Sequence, residues 1–394
     1  MNRTIKYLAL GTLFFPSPYL LIAQTSQEPV VAIPKPITPV WEDSRDLILL
    51  SDDSLDRIAL AMQVMNISLN INNSLTPLQR FDGLSIAGHT FWPEASYDNT
   101  LTCFNGVIAL NISSDATADA ARMKAQAHFF KGEYQQATDA YLLCYNISKQ
   151  LEVLEGSNSL ADLVVTMLIQ SARKAGDFDV AIQATDYVLA DTTLRTEARQ
   201  SSLQIGGQAA LEAANNQRAE LYLTTLLTDY PTYGLGFPGE RVNVEMDLVR
   251  AKGFSIDNHD PEAVDAMSAI VQNVQYMGLP SWTTAVGQLA ALLEKADEMP
   301  NANALRLWAI DQVDIKSNTF DSNDSNTPFM LETNRKTQLG MLQRAAKGFA
   351  KIRQYDNQAD VLIRIVSEFG DINANVTASA NAELERLNGL QPIP

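Results

Sequence analysis

"GEYQQATDAY" (Gly132–Tyr141) follows the aromatic pair Phe129–Phe130 and places a Gly, a Tyr, an Ala and a second Tyr at offsets of zero, two, five and nine. In a hairpin of two antiparallel helices each offset has a physical role. The Gly accepts the φ > 0 backbone of a tight turn, which costs other residues energy. Tyr134 plugs the open end of the hairpin. Ala137 is small enough to let the two helices approach, and Tyr141 lies one turn further along the same face.

The spacing recurs. "AGDFDVAIQATDYVL" gives Gly176, Phe178, Ala181 and Val188, and "ANNQRAELYLTTLLTDYP" gives Ala214, Ala219, Leu223, Leu226 and a stop at Pro231. "ASYDNTLTCFNGV" gives Ala95, Tyr97, Thr100, Phe104 and Val107, after a helix carrying Ala87, Gly88 and Phe91. Near the end, "RQYDNQADVLIRIVSEFG" gives Tyr355, Ala359, Ile363 and Val366. A hairpin that cannot bury its own apolar face must stack on its neighbours, so a repeat of this length predicts a solenoid.

The pattern resembles the tetratricopeptide repeat family, most closely at Gly132, Tyr134, Ala137 and Tyr141 and over residues 81–231. Thr100 departs from the family's Ala, and Ala95 and Ala214 from its Gly. The resemblance implies an all-α fold of tandem antiparallel helix hairpins, stacked as an α-solenoid with a right-handed superhelical path. It also implies that the first helix of each pair lines a concave groove for a peptide or partner helix. Carried onto this chain, the groove positions are Ser85, His89 and Trp92; Arg122, Gln126 and Phe129; Thr166, Gln170 and Arg173; then Gln204, Gln208 and Leu211. Those expected to touch a partner are His89, Trp92, Arg122, Gln126, Phe129, Gln170, Arg173 and Gln208.

The rest of the 394-residue chain reads as follows. "MNRTIKYLALGTLFFPSPYLLIA" has a basic start and an apolar stretch broken by Pro16 and Pro18, which reads as a secretory signal over residues 1–23. Residues 24–43 are proline-rich and read as an extended arm. Residues 44–231 read as repeats, the first clear helix being capped by Ser51 or Asp52. Residues 232–258 read as an irregular connector. Residues 259–394 read as further helical repeats or a helical lobe, with Trp282 and Trp308 in its core.

A formal charge of −17 without a basic stripe excludes a nucleic-acid partner. After signal cleavage no membrane insertion is expected. Export would put Cys103 and Cys144 in an oxidising compartment, where they either pair or remain two buried thiols. No G-x-S-x-G is present. His259, Asp260 and Glu262 read as a helix N-terminus rather than a metal corner. "GMLQ" (Gly340–Gln343) has the wrong order for the signature of lytic transglycosylases. No catalytic residue, metal or cofactor is expected. The sequence points to an exported, periplasmic or secreted scaffold that binds a protein or peptide partner in the cell envelope. A sensory module for a small ligand and a peptidoglycan-active enzyme are the alternatives.

Overall fold

The computed structural model describes residues 41–51, 53–72, 74–155, 159–234, 238–253, 261–317, 319 and 327–389. The signal segment, most of the arm, the His259–Asp260 pair and most of the polar stretch at 317–329 lie outside the described residues. Those described form 17 helices and no strand.

The helices come in antiparallel pairs. The first is α1 (Trp41–Leu50) with α2 (Ser54–Leu69), and the second α3 (Pro77–Phe91) with α4 (Tyr97–Leu110). Then follow α5 (Ser114–Lys131) with α6 (Tyr134–Glu155), α7 (Ser159–Ala175) with α8 (Phe178–Ala190), and α9 (Thr196–Glu212) with α10 (Asn216–Asp229). The second half holds α11 (Pro238–Ala251) with α12 (Pro261–Gln272), α13 (Pro280–Lys295) with α14 (Met299–Ser317), and α15 (Thr327–Lys351) with α16 (Tyr355–Phe369). A last helix, α17 (Ala374–Asn388), covers the end of the stack by packing on α16.

One turn closes six of these hairpins. A residue with left-handed φ stands at Ala95, Gly132, Gly176, Ala214, Asp297 and Arg353. In each case its N–H bonds back three residues, and the next N–H bonds back five, as at Gly132→Phe129 (3.0 Å) and Glu133→His128 (2.9 Å). This is the two-bond cap that satisfies the orphan carbonyls of a helix end. Gly253 has the same backbone sign at the end of α11.

Five positions after the left-handed residue stand Thr100, Ala137, Ala181, Ala219, Ala302 and Gln358, and all are buried. Nine positions after it stand Phe104, Tyr141, Thr185, Leu223, Arg306 and Leu362, also buried. The repeated register is therefore the packing register. Helix α5 buries five alanines and one methionine, so both neighbouring pairs can close on it.

The core is divided along the stack. Clusters spanning Trp41–Met123, Ala118–Ala209, Leu203–Ala251 and Val242–Leu387 meet inside α5, α9 and α11, each of which feeds two of them. The odd-numbered helices from α7 to α15 adjoin one another directly, and the even-numbered ones over the same stretch do not to that extent. A stack whose one row is in contact while the other splays curves toward the contacting row. From α7 onward the odd helices therefore form the inner side.

Several expectations are corrected. Trp41 and Asp43 open α1 rather than ending an arm, because the Trp41 indole is buried and donates to Ser68 Oγ at 2.8 Å. The cap of α2 is Asp53, whose carboxylate accepts from the N–H of Leu55. The stretch read as an irregular connector carries α11, which places Val242, Val244 and Met246 in the core. In the last hairpin the buried set is Gln358, Leu362 and Ile365, one residue before Ala359, Ile363 and Val366; Ile363 is 54% exposed. A polar Gln at the small-residue position concealed that register. Cys103 and Cys144 are free, buried and held in different core clusters, and burial pushes both thiols up to about 12.

Candidate functional site

Six positions before the left-handed turn residues of the first half, the first helix of each pair carries His89, Gln126, Gln170, Gln208 and, before Gly253, Asp247; before Asp297 and Arg353 the same position holds Ala291 and Lys347. From α3 to α11 the fixed register puts one polar side chain at the same level of each of these helices. Among the described residues, Gln126 and Gln170 have no hydrogen-bond partner.

From α7 onward these groups meet. Gln170, Arg173 and Lys174 of α7 face Gln204, Ile205, Gln208 and Glu212 of α9 around a recess of about 450 Å³. Arg173 donates to Gln208 Oε1 at 2.5 Å and reaches Glu212 with Nη2 at 2.6 Å. Gln208 Nε2 donates to Asp247 Oδ2 at 3.3 Å, and Arg250 Nη1 donates to Asp247 Oδ1 at 3.0 Å. Gln204 Oε1 accepts from the Tyr233 hydroxyl at 2.7 Å. Side chains of α7, α9 and α11 thus form one chain of polar contacts. Arg173 is neutralised within it by Glu212, and Arg250 is matched to Asp247. Burial raises the Asp247 carboxyl above its ordinary value, while Arg250, Gln208 and Arg173 oppose that shift.

The first-half calls divide. Trp92 and Phe129 sit at the turn ends, in a row of rings. Trp92 packs on Tyr97 and Phe130 with centroids 5.6 and 5.3 Å away, and Phe129 packs on Phe130 and Tyr134 at 6.0 and 5.4 Å. Lys174 Nζ stands 5.3 Å from the Phe129 centroid and 5.1 Å from that of Tyr134. This is a cation–π arrangement that ties the third hairpin to the fourth. These aromatics link repeats, and Trp92 and Phe129 do not join the recess. His89 meets Phe104 edge-on at 5.3 Å, with Nε2 4.0 Å from Asp119. Burial holds its imidazole below the usual value; Asp119 opposes this and Arg122 adds to it. Arg122 is occupied by Asp119 at 2.6 Å. Thr166 bonds Ser202 Oγ at 2.9 Å, holding α7 against α9. Gln170, Arg173, Gln204 and Gln208 are brought together; His89 on α3 and Arg122 and Gln126 on α5 lie outside the recess.

Asp247 and Arg250 were missed because their helix was read as a connector. The signal was Gly253, which sets Asp247 at the level of Gln208. Among the described residues no group of three or more His, Cys, Asp or Glu could hold a metal ion, and no helix is long and apolar enough to cross a membrane. "GMLQ" lies inside α15 with Met341 and Leu342 in the core.

No family model matches the chain, and no curated protein matches it. Among solved structures it is similar to the apo form of the quorum sensor NprR from B. thuringiensis, at 11% identity, TM-score 0.32, over 89% of this chain and 86% of that one. It is similar also to a Rap protein complexed with competence and sporulation factor (12%, 0.34, 88% and 98%). A third is the TPR2AB domain of yeast Sti1 in a pHSP90 complex (16%, 0.26, 78% and 96%). The fold assignment stands on the six identical turns and the repeated register of the chain itself. It is a tandem array of tetratricopeptide-like helical hairpins.

Proposed function

We propose that the chain is a non-enzymatic scaffold that binds an extended protein segment along its inner helices, in the cell envelope. The observation that carries this reading is the level row of amide side chains, Gln126, Gln170 and Gln208, at one register position of α5, α7 and α9, of which Gln126 and Gln170 are without partners among the described residues. A side-chain amide both donates and accepts, so it can pair with a peptide unit of any sequence. Packed helices lie about 8–10 Å apart, and an extended chain advances about 3.3 Å per residue. Each inner helix therefore meets roughly every third residue of a bound segment. The charged groups beside the row are already matched to one another, so affinity comes from amide pairing and from the fit of side chains between helices. The envelope setting rests on the basic-then-apolar N-terminal segment.

The test is a crosslinking pull-down from native envelope with the wild type beside Gln126→Ala plus Gln170→Ala. These two glutamines have no partners among the described residues, so their loss leaves the fold intact, as circular dichroism would confirm. Capture by the wild type and at least tenfold weaker capture by the double variant is expected. Equal capture would remove the amide row from the binding surface. Phe129→Ala and Arg173→Ala are poor probes, since both side chains tie neighbouring hairpins together.

A further inference from the structure

A second recess, of about 490 Å³, opens between α13, α14 and α15. Small-molecule sites typically measure about 300–1,000 Å³. It lies between consecutive inner helices, as the first recess does, but three hairpins further along and with different chemistry.

Arg344 of α15 reaches across it to α13. Its Nη1 lies 3.6 Å from where a Cβ on Gly287 would stand, and apart from the local backbone of α13 and the residues flanking Gly287 no other heavy atom comes within 4 Å of that point. The guanidinium is therefore laid over bare helix backbone. Among the described residues it has no hydrogen-bond or ion-pair partner. That is unusual in a chain of formal charge −17, in which Arg45, Arg122, Arg173, Arg306, Arg335 and Arg364 all hold acids. Arg306 also lines the recess but is neutralised by Glu294 at 2.5 Å. The positive charge that remains belongs to Arg344.

Gln288 of α13 supplies the complement. Its Oε1 is buried and accepts no hydrogen bond, and its side chain lines the same recess. A buried acceptor left without a donor costs about 1–3 kcal/mol unless something supplies one. Ala291 and Met341 add apolar wall, and Thr284 and Thr337 add hydroxyls.

We propose that this recess binds a ligand carrying a carboxylate next to an N–H donor and an apolar group. An acidic residue in acyl-linked form beside an apolar residue carries that set. The carboxylate takes the planar fork of Arg344, which suits two-point pairing. The N–H meets Gln288 Oε1, and the apolar group lies against Ala291 and Met341. The site shares no residue with the amide row, so the two stand or fall separately.

The probes are N-acetyl-leucyl-glutamate α-amide, which carries a single carboxylate, its uncharged analogue N-acetyl-leucyl-glutamine α-amide, and inorganic phosphate, titrated by calorimetry into the full mature chain at low salt. The acidic dipeptide is expected to bind at least tenfold more tightly than the amide analogue and than phosphate. Arg344→Gln is expected to weaken it tenfold or more, and Arg344→Lys less. Lys351→Gln, an exposed cation at the end of α15, should leave it unchanged. Arg344 is exposed, so these variants keep the fold. The assignment is overturned by equal binding of acid and amide dipeptides, by phosphate binding as tightly as the acid, or by an unaltered Arg344→Gln titration. Absence of dipeptide binding to the wild type also overturns it.

Discussion

The hairpins that turn at Gly132 and at Asp297 share one backbone and differ in what fills it. At Gly132 the turn residue is strain-free, the small position is Ala137 and the next buried position is the Tyr141 ring. At Asp297 a side chain is forced into the left-handed region, the small position is Ala302 and the buried position is Arg306, tied to Glu294. The last hairpin goes further, with Arg353 at the turn and Gln358 at the small position, the Gln donating to Glu383 of α17 at 2.8 Å. The geometry of a hairpin array tolerates polar substitution where a partner takes up at least one end of the polar group, as Glu383 does for Gln358 Nε2 while its buried Oε1 is left without a donor. The first half is built by shape, and the second in part by matched charge.

Substitutions that exploit this difference follow in order of expected effect. Removing the ring in Tyr141→Ala should cost about 3–5 kcal/mol of unfolding free energy, as for other large buried side chains, read by urea denaturation. Glu294→Ala should cost about 2–3 kcal/mol, because it strands a 4% exposed arginine side chain; that is below the ~3–5 of a fully enclosed pair because Glu294 keeps some water. Glu294→Leu with Arg306→Leu should recover most of that loss, since Leu already serves at Leu223 and Leu362. If the double variant is no better than Glu294→Ala, the second half is not the charged equivalent of the first.

The turns separate the halves more finely. A Cβ at Gly132 meets nothing within 4 Å, so Gly132→Ala isolates the left-handed cost and should destabilise by about 1 kcal/mol. Arg353→Gly should shift stability the other way by about the same amount or less, because glycine also gains freedom in the unfolded chain. Tyr141→Phe is smaller still. The hydroxyl is buried without a partner, so its removal should be neutral or stabilising by up to about 1 kcal/mol.

A pH effect belongs to the first half. Asp191 sits at about 2 in the folded chain: burial works against it, and Thr193 and Lys149 overcome that. A folded value below the ordinary 3.8 means stability that is present above that value and lost as pH falls through about 2. Asp191→Asn should flatten the acid limb of a stability–pH curve without moving the neutral plateau's shape. An unchanged acid limb would contradict this.

How much was legible follows the same division. Gly132 and Gly176 announce their turns, and Ala95 and Ala214 are found by spacing once those are fixed. Asp297 gives no such signal, and neither does Arg353, because nothing in a side chain advertises a left-handed backbone that packing imposes. Gln358 at a small-residue position moved the reading of the last hairpin by one residue. The site shows the same limit. Gln126, Gln170 and Gln208 follow from register alone. That Arg173 is matched to Glu212, that Phe129 lies under Lys174, or that Asp247 extends the row depends on contacts between hairpins, which a repeat read one hairpin at a time does not contain. The unmatched Arg344 could be identified only from the partners of the other arginines around it, such as Arg306 with Glu294.

The most direct test of the inner-row account is site-specific photo-crosslinking in native envelope. A benzophenone amino acid is placed singly at Gln126 and Gln170 on the inner side, and at Leu142 and Tyr187 on α6 and α8, where both side chains are exposed. The account predicts that the two inner positions give the same adduct and the outer positions do not. An adduct formed equally at Leu142 and Tyr187, or only there, would contradict it.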